Sequence, residues 1–331
     1  MSQPKKTIAI IGATGHQGLS IAKTFASLPD WNVRAITRNP SSPKTNILRS
    51  LGCSITPADL DDIPSLEKAF SGVHAIFLNT DFWAPYRAAL NAGFSQEESC
   101  KKGLETEIQH GKNAAIAAAS AISTLEVLVY SALGPMNSAS GGKYPTSYHW
   151  EAKAAIVSYI ECSQPELWKK TSLIYIGAYA TNGLLMPKPD PVTGEYKLVI
   201  PCSGAMRIPI TDEDDSVGDW VHALIEGEEP GTKLLAYDSY LTIDECIEIW
   251  KRITGKEARL ESLSLKEMHE RTGHPYEVLW APAYIEEFGY MAGITDWIEP
   301  GQLKKKVVRP SWEDWMGKRD LKELLSVEIV I

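Results

Sequence analysis

Thr7-Ile8-Ala9-Ile10-Ile11-Gly12-Ala13-Thr14-Gly15-His16-Gln17-Gly18 is the stretch whose reading decides the fold. An apolar run of strand length ends in G-x-x-G-x-x-G and opens directly into a helix, Leu19 to Leu28. Glycines so placed let the backbone turn tightly and approach a pyrophosphate closely. The free N–H groups of the helix N-terminus point at the anion. Trp31-Asn32-Val33-Arg34-Ala35-Ile36-Thr37 follows as a second strand, which completes a βαβ unit. The spacing predicts a dinucleotide site, with Gly12, Thr14, Gly15, His16, Gln17 and Gly18 around the phosphates.

The end of the second strand bears on which dinucleotide. An acid there accepts the ribose hydroxyls of NAD, whereas an arginine favours the extra phosphate of NADP. The chain has Thr37-Arg38-Asn39-Pro40-Ser41-Ser42-Pro43-Lys44, with no acid before Asp59. A guanidinium forks onto a phosphate, and small hydroxyl residues add neutral donors. Arg38 is therefore expected on the 2′-phosphate, supported by Thr37 and Lys44. The plainer alternative is a solvated surface arginine. NADP(H) is the expected cofactor, with NAD(H) the weaker possibility.

A net charge of −9 opposes a nucleic-acid surface, which needs a basic stripe; a DNA-linked role through a protein partner stays open. Five cysteines, at 53, 100, 162, 202 and 246, stand singly with no C-x-x-C. They read as reduced thiols, so neither a disulfide framework nor a metal site is expected. The first six residues are polar and the apolar run after them is only a strand long, so no secretory signal or membrane span is expected. The expectation is a cytoplasmic protein, with the nucleus also open.

Short apolar runs alternate with helical patterns up to about residue 180. Strands are predicted at 7–11, 32–37, 54–58, 73–79, 126–131 and 172–176, with helices near 17–28, 43–51, 64–70, 98–121 and 147–161. This is the rhythm of an α/β, Rossmann-type doubly wound parallel sheet. Residues 1–183 are expected to form the dinucleotide domain and 184–331 a smaller mixed lobe over the ligand cleft, interleaved with it. Within that lobe a strand is predicted at 197–200 and helices at 217–225 and 275–293; Thr242 and Ser264 open capping boxes. Asp212-Glu213-Asp214-Asp215 reads as acid at a helix start, favoured by the macrodipole, more than as a metal cluster.

The fourth strand ends Phe77-Leu78-Asn79-Thr80-Asp81-Phe82-Trp83. Asn79 and Thr80 are expected beside the ribose and nicotinamide, with Phe82 and Trp83 as an aromatic wall. Asp59, after the third strand, reads equally as an adenine contact or as a cap for the helix from Pro64. The fifth strand ends Tyr130-Ser131-Ala132, and a helix near Ser147 carries Tyr148-His149-Trp150-Glu151-Ala152-Lys153.

Here the sequence resembles the short-chain dehydrogenase/reductase superfamily, which uses Ser with a Tyr-x-x-x-Lys pair one helical turn apart. That spacing puts acid and lysine on one face, where the ammonium lowers the hydroxyl pKa and holds the ribose. The lysine position matches as Lys153, but the tyrosine position is His149; Tyr148 is one residue early, about 100° round the helix. That departure is similar to the NmrA-like family of atypical short-chain dehydrogenases. Supporting segments are Thr37-Arg38-Asn39-Pro40, Tyr175-Ile176-Gly177-Ala178-Tyr179-Ala180-Thr181-Asn182 and Ile208-Pro209-Ile210-Thr211-Asp212.

The resemblance implies an NAD(P)-binding Rossmann domain with a small lobe, and two kinds of member. In the reductase kind a small-molecule substrate is turned over: Lys153 binds the ribose and relays a proton, His149 acts as general acid, and Ser131 orients a substrate oxygen. Loops 134–146 and 183–196 would then form a lid. In the other kind a catalytically silent redox sensor acts on a protein partner, and the missing tyrosine is the sign of it.

Overall fold

The structure, a computed structural model, describes residues 4–326. Its main sheet contains β1 (Lys6–Ile10), β2 (Trp31–Thr37), β3 (Ser54–Pro57), β4 (Ala75–Leu78), β5 (Val127–Ala132) and β6 (Thr171–Ile176). Their order is 3-2-1-4-5-6, extended beyond β6 by Lys233–Ala236 and Trp297–Ile298 to eight strands. Every pairing in this sheet is parallel. The expected Rossmann-type sheet is thus present. β4, β5 and β6 are buried on both faces, which is why they read as unbroken apolar runs without alternation. The order reverses between β1 and β4, and the carboxyl ends of the strands open there into a crevice.

The helices that cover the sheet include α1 (His16–Ala26), α2 (Thr45–Ser50), α3 (Ile63–Phe70), α4 (Trp83–Asn91), α5 (Gln96–Ser120), α6 (Met136–Ala139) and α7 (Tyr148–Ser163). The alanine run of α5 does what small residues suit: Ala114, Ala115, Ala117 and Ala118 are all buried in the core. Gly111 brings α5 close to α7, since a Cβ there would come within 2.4 Å of Ile156. Helix α4 has no counterpart in the sequence reading, which took Phe82 and Trp83 as an aromatic wall at the end of the fourth strand. Pro85 inside the first turn, where its missing N–H costs nothing, disguised the helix start.

Two smaller three-stranded sheets supply the mixed part of the fold. Arg207–Thr211 runs antiparallel to Ser239–Thr242 and parallel to Ala178–Tyr179. Tyr196–Ile200 runs parallel to Ala258–Ser262 and antiparallel to Lys188–Pro189. The helix expected over 275–293 is shorter, Tyr276–Phe288, because Gly289 follows it at φ 87° and ends the run. Among the described residues no helix is long and apolar enough to cross a membrane.

Of the two predicted lid loops, 134–146 does not have that form. The 134–146 segment holds α6 and is pinned: Asn137 N donates to Glu151 Oε1 at 2.7 Å, and buried Tyr144 packs edge-on to Trp280 and Tyr284. Segment 183–196 lines the cleft only through Gly183, Leu184 and Leu185, and Val192 at its tip is 90% exposed. Glycine and proline mark turns here, and the aromatic contacts of Tyr144 hold the 134–146 segment against the Tyr276–Phe288 helix.

Asp238, just past Lys233–Ala236, accepts the Asp212 N–H at 2.7 Å. Burial pushes its carboxyl up from 3.8 to about 6 despite that bond. The folded chain therefore binds the extra proton between roughly pH 4 and 6, and stability falls as pH rises through that window. Asp238→Asn keeps an acceptor for Asp212 and removes the buried charge. It is expected to raise stability at pH 7 by on the order of 1–3 kcal/mol and to leave it nearly unchanged at pH 4. Thermal melts of both proteins at the two pH values check this.

Candidate functional site

A cleft of about 1470 Å³ lies at the carboxyl ends of β1, β2, β4, β5 and β6. Gly12, Thr14, Gly15, His16, Gln17 and Gly18 line one end. Gly12 takes φ 72°, and Gly18 sits so close to the turn that a Cβ would lie 2.3 Å from the Gly12 carbonyl oxygen. Gln17 Nε2 donates to the Tyr179 hydroxyl at 2.8 Å, while its Oε1 is buried without a partner. His16 Nδ1 meets Asp214 Oδ1 at 2.7 Å. A backbone cradle at a helix N-terminus with an orphaned amide oxygen beside it fits a pyrophosphate and its sugars.

At the end of β2, Thr37, Arg38, Asn39 and Ser42 all face the cleft. Lys44 does not line it; it precedes α2 as its N-cap residue. The two readings of Asp59 divide between neighbours. Asp62 caps α3 by accepting from Ser65 N, and Asp59 lines the cleft while its Oδ1 takes the Asp61 N–H.

Further along, Asn79, Thr80, Ser131, His149 and Lys153 come together. Lys153 Nζ donates to Asn79 Oδ1 at 3.1 Å, Thr80 O at 3.2 Å and Ser131 O at 3.4 Å. It also pairs with Glu107 Oε1 at 3.3 Å. Glu107 is fully buried and takes a 2.6 Å hydrogen bond from Thr80 Oγ1; its Oε2 has no partner. The Thr80 hydroxyl is thus committed to the network beneath the cleft, whereas Asn79 keeps its amide N–H groups for the cleft side. Ser131 is buried, with its carbonyl held by Lys153.

His149 stands one helical turn before Lys153 on α7, the face the spacing requires. Its Nδ1 lies 2.5 Å from Glu277 Oε1, and the ring borders Trp83 and Phe82 at 5.3 and 6.0 Å. Phe82 itself is seated against Gly103, where a Cβ would meet its ring at 2.8 Å. Tyr148 turns away and packs beside Phe82, Tyr86 and Cys100. Burial raises the Tyr148, Tyr86 and Tyr130 phenols, and pushes Tyr179 up to about 12. Burial makes these phenols weaker acids, and of the four only Tyr179 lines the cleft, whereas Lys153 and His149 both line it from one helix.

Three features lay beyond the sequence reading. Glu107 occurs mid-helix, where an acid ordinarily faces solvent, and nothing local marks it as buried. Glu277 sits in the first turn of its own helix, the usual place for an acid that complements the macrodipole. The opposite wall of the cleft is that same helix, through Val278, Ala281, Pro282 and Ile285, followed by Tyr290, whose hydroxyl donates to Ile176 O at 2.6 Å.

The sequence profile described as the NmrA-like family matches residues 4–314. The NmrA-like family domain-containing oxidoreductase ptmS of Penicillium ochrochloron is 28% identical over 279 residues, 79% of this chain and 77% of that one. Among solved structures, an isoflavone reductase superposes with TM-score 0.70 at 18% identity, covering 95% of this chain and 99% of the other. NmrA, a negative transcriptional regulator solved in complex with NADP, gives 0.66 at 20% identity, covering 97% and 94%. The profile spans the sheet, the glycine loop and the Lys153 helix together, and the chain belongs to the NmrA-like family.

Proposed function

We propose that the protein is an NADPH-dependent reductase of a small, apolar carbonyl or conjugated compound. The observation that carries the reading is Lys153 and His149 on one helix face, where the cofactor end of the cleft meets the Phe82–Trp83 wall. The glycine cradle would hold the pyrophosphate, Arg38 with Thr37 the 2′-phosphate, Asp59 the adenosine side, and Asn79 with Lys153 the nicotinamide ribose. When bound, NADPH supplies a hydride to an electrophilic carbon.

The chain's own part is positional and protonic. Lys153 keeps its ammonium directed by five oxygen partners at the cleft floor. His149, in its doubly protonated form, gives the Nε2 proton to the substrate oxygen as the carbon is reduced. Phe82, Trp83 and the Tyr276–Phe288 helix offer apolar faces that exclude water. The name of ptmS as an oxidoreductase and the NADP complex of NmrA support this reading.

Calorimetric titration of the full chain with NADP⁺, NADPH, NAD⁺ and NADH tests it. NADPH binding at least as tightly as NADP⁺, with both ahead of the NAD pair, is the expected result. A strong preference for the oxidised forms favours a catalytically silent sensor that acts on a protein partner; His149 at the tyrosine position is the feature on that side. Arg38→Ala is expected to weaken NADP(H) by about 10-fold or more, the loss of a charge-assisted hydrogen bond, while NAD(H) affinity changes little. Equal losses for both pairs would remove Arg38 from the phosphate.

A further inference from the structure

We infer that Glu277 is a positioning residue that sets the tautomer and direction of the His149 ring. It stands 128 residues from His149 in the chain, on the helix that forms the opposite wall. Its side chain is 2% exposed, yet it makes three contacts with the start of α7. Oε2 accepts the Tyr148 N–H at 2.7 Å, Oε1 accepts the His149 N–H at 2.8 Å, and the same oxygen meets His149 Nδ1 at 2.5 Å.

The first two contacts do the work of a helix cap. Ser147, in the N-cap position of α7, makes no side-chain cap bond, and Glu277 satisfies those N–H groups from across the cleft. The third contact has a separate consequence. A carboxylate accepting two N–H bonds has only acceptor capacity left, so the ring nitrogen facing it must carry the proton. In the neutral ring Nε2 is then the bare nitrogen, and it has no partner among the described residues. In the imidazolium the Nε2 proton is the one free to leave, while the Nδ1 proton stays on the ring, held by the carboxylate. An acid, a ring and an open nitrogen in this sequence is the arrangement by which a buried carboxylate orients a catalytic imidazole.

The assignment also couples the ring to the opposite wall. Trp280 Nε1 donates to Thr146 Oγ1 at 2.7 Å, so the Tyr276–Phe288 helix is docked at the residues just before α7. One helix therefore carries both the apolar wall of the cleft and the carboxylate that directs His149.

The consequence for turnover rests on the reductase reading; the tautomer does not. Nitrogen-15 imidazole spectra of the full chain without substrate, at a pH where the ring is neutral, are expected to show His149 protonated on Nδ1 and bare on Nε2. The reverse tautomer, or an averaged pair, overturns the inference whether or not the protein turns anything over. With phenanthrenequinone and cinnamaldehyde as probes, Glu277→Gln is expected to lower kcat by about 100-fold or more, with the KM for NADPH unchanged and Glu277→Asp partly restored. Added to His149→Gln, the Glu277→Gln change is expected to cost nothing further in kcat. Independent, multiplying losses would show that Glu277 acts only as a cap. Absence of turnover with every probe while the Nδ1 tautomer is observed counts against the reductase reading and leaves the positioning role standing.

Discussion

Lys153→Met is expected to lower turnover by about 10³-fold or more, to weaken NADP(H) binding only a few-fold, and to melt several degrees below the parent. The two effects have different origins. Turnover is expected to be lost because the Lys153 ammonium is the group that meets Asn79, Thr80 and Ser131 where β4, β5 and α7 converge. Stability is lost because Glu107, fully buried, is left with a hydrogen bond from Thr80 and no cation. Breaking one side of a buried pair costs on the order of 3 kcal/mol. Adding Glu107→Gln removes the stranded charge, so the double variant is expected to recover much of the melting temperature and none of the activity. Circular-dichroism melts and stopped-flow oxidation of NADPH separate the two. Turnover that returns with stability would mean Lys153 serves the fold alone.

Gly18→Ala is the second large effect. The added Cβ would fall 2.3 Å from the Gly12 carbonyl oxygen and 2.7 Å from Ala13 Cα, both backbone atoms with no freedom to rotate away. The first turn of α1 must lift off the glycine loop, at about 1–3 kcal/mol for overpacking of this kind. NADP(H) affinity is expected to fall by at least 10-fold, read by calorimetry, with a lower melting temperature. The other two glycines rank below it. Gly12→Ala meets no neighbour but must hold φ 72°, at about 1–2 kcal/mol. Gly15→Ala meets only the Gly12 oxygen at 3.4 Å, ordinary contact, and is expected to be the mildest. A mildest effect at Gly18 would contradict the packing described.

That ranking shows where sequence reading works and where it stops. The motif reports three glycines as equals; only the packed loop shows that one answers to a close approach, one to backbone angle and one to little. β1 and β4 to β6 were legible because buried parallel strands leave largely apolar runs between turns, and β2 because buried Trp31, Val33 and Ala35 alternate with Asn32 and Arg34. Lys153 and His149 were legible because a helical turn fixes their common face. Glu107 and Glu277 were not, because each is defined by a partner from a distant segment, and each sits where an acid has an ordinary local explanation. The lid expectation failed for a related reason: glycine and proline in 134–146 are visible in sequence, while the burial of Tyr144 among Trp280, Tyr284 and Phe288 is a tertiary fact.

The outer half of the main sheet carries a consequence for biosynthesis. β6 ends at Ile176, and the strand that covers its free edge begins only at Lys233. A ribosome adding roughly 5–20 residues per second needs about 3–11 s to deliver that partner. Through that interval the nascent chain carries a parallel edge, Thr171–Ile176, with unsatisfied amides, open to pairing with a neighbour on the same polysome. Slowing or arresting translation between the codons for these two segments is therefore expected to increase misassembly, and a chaperone that shields strand edges would act in that window.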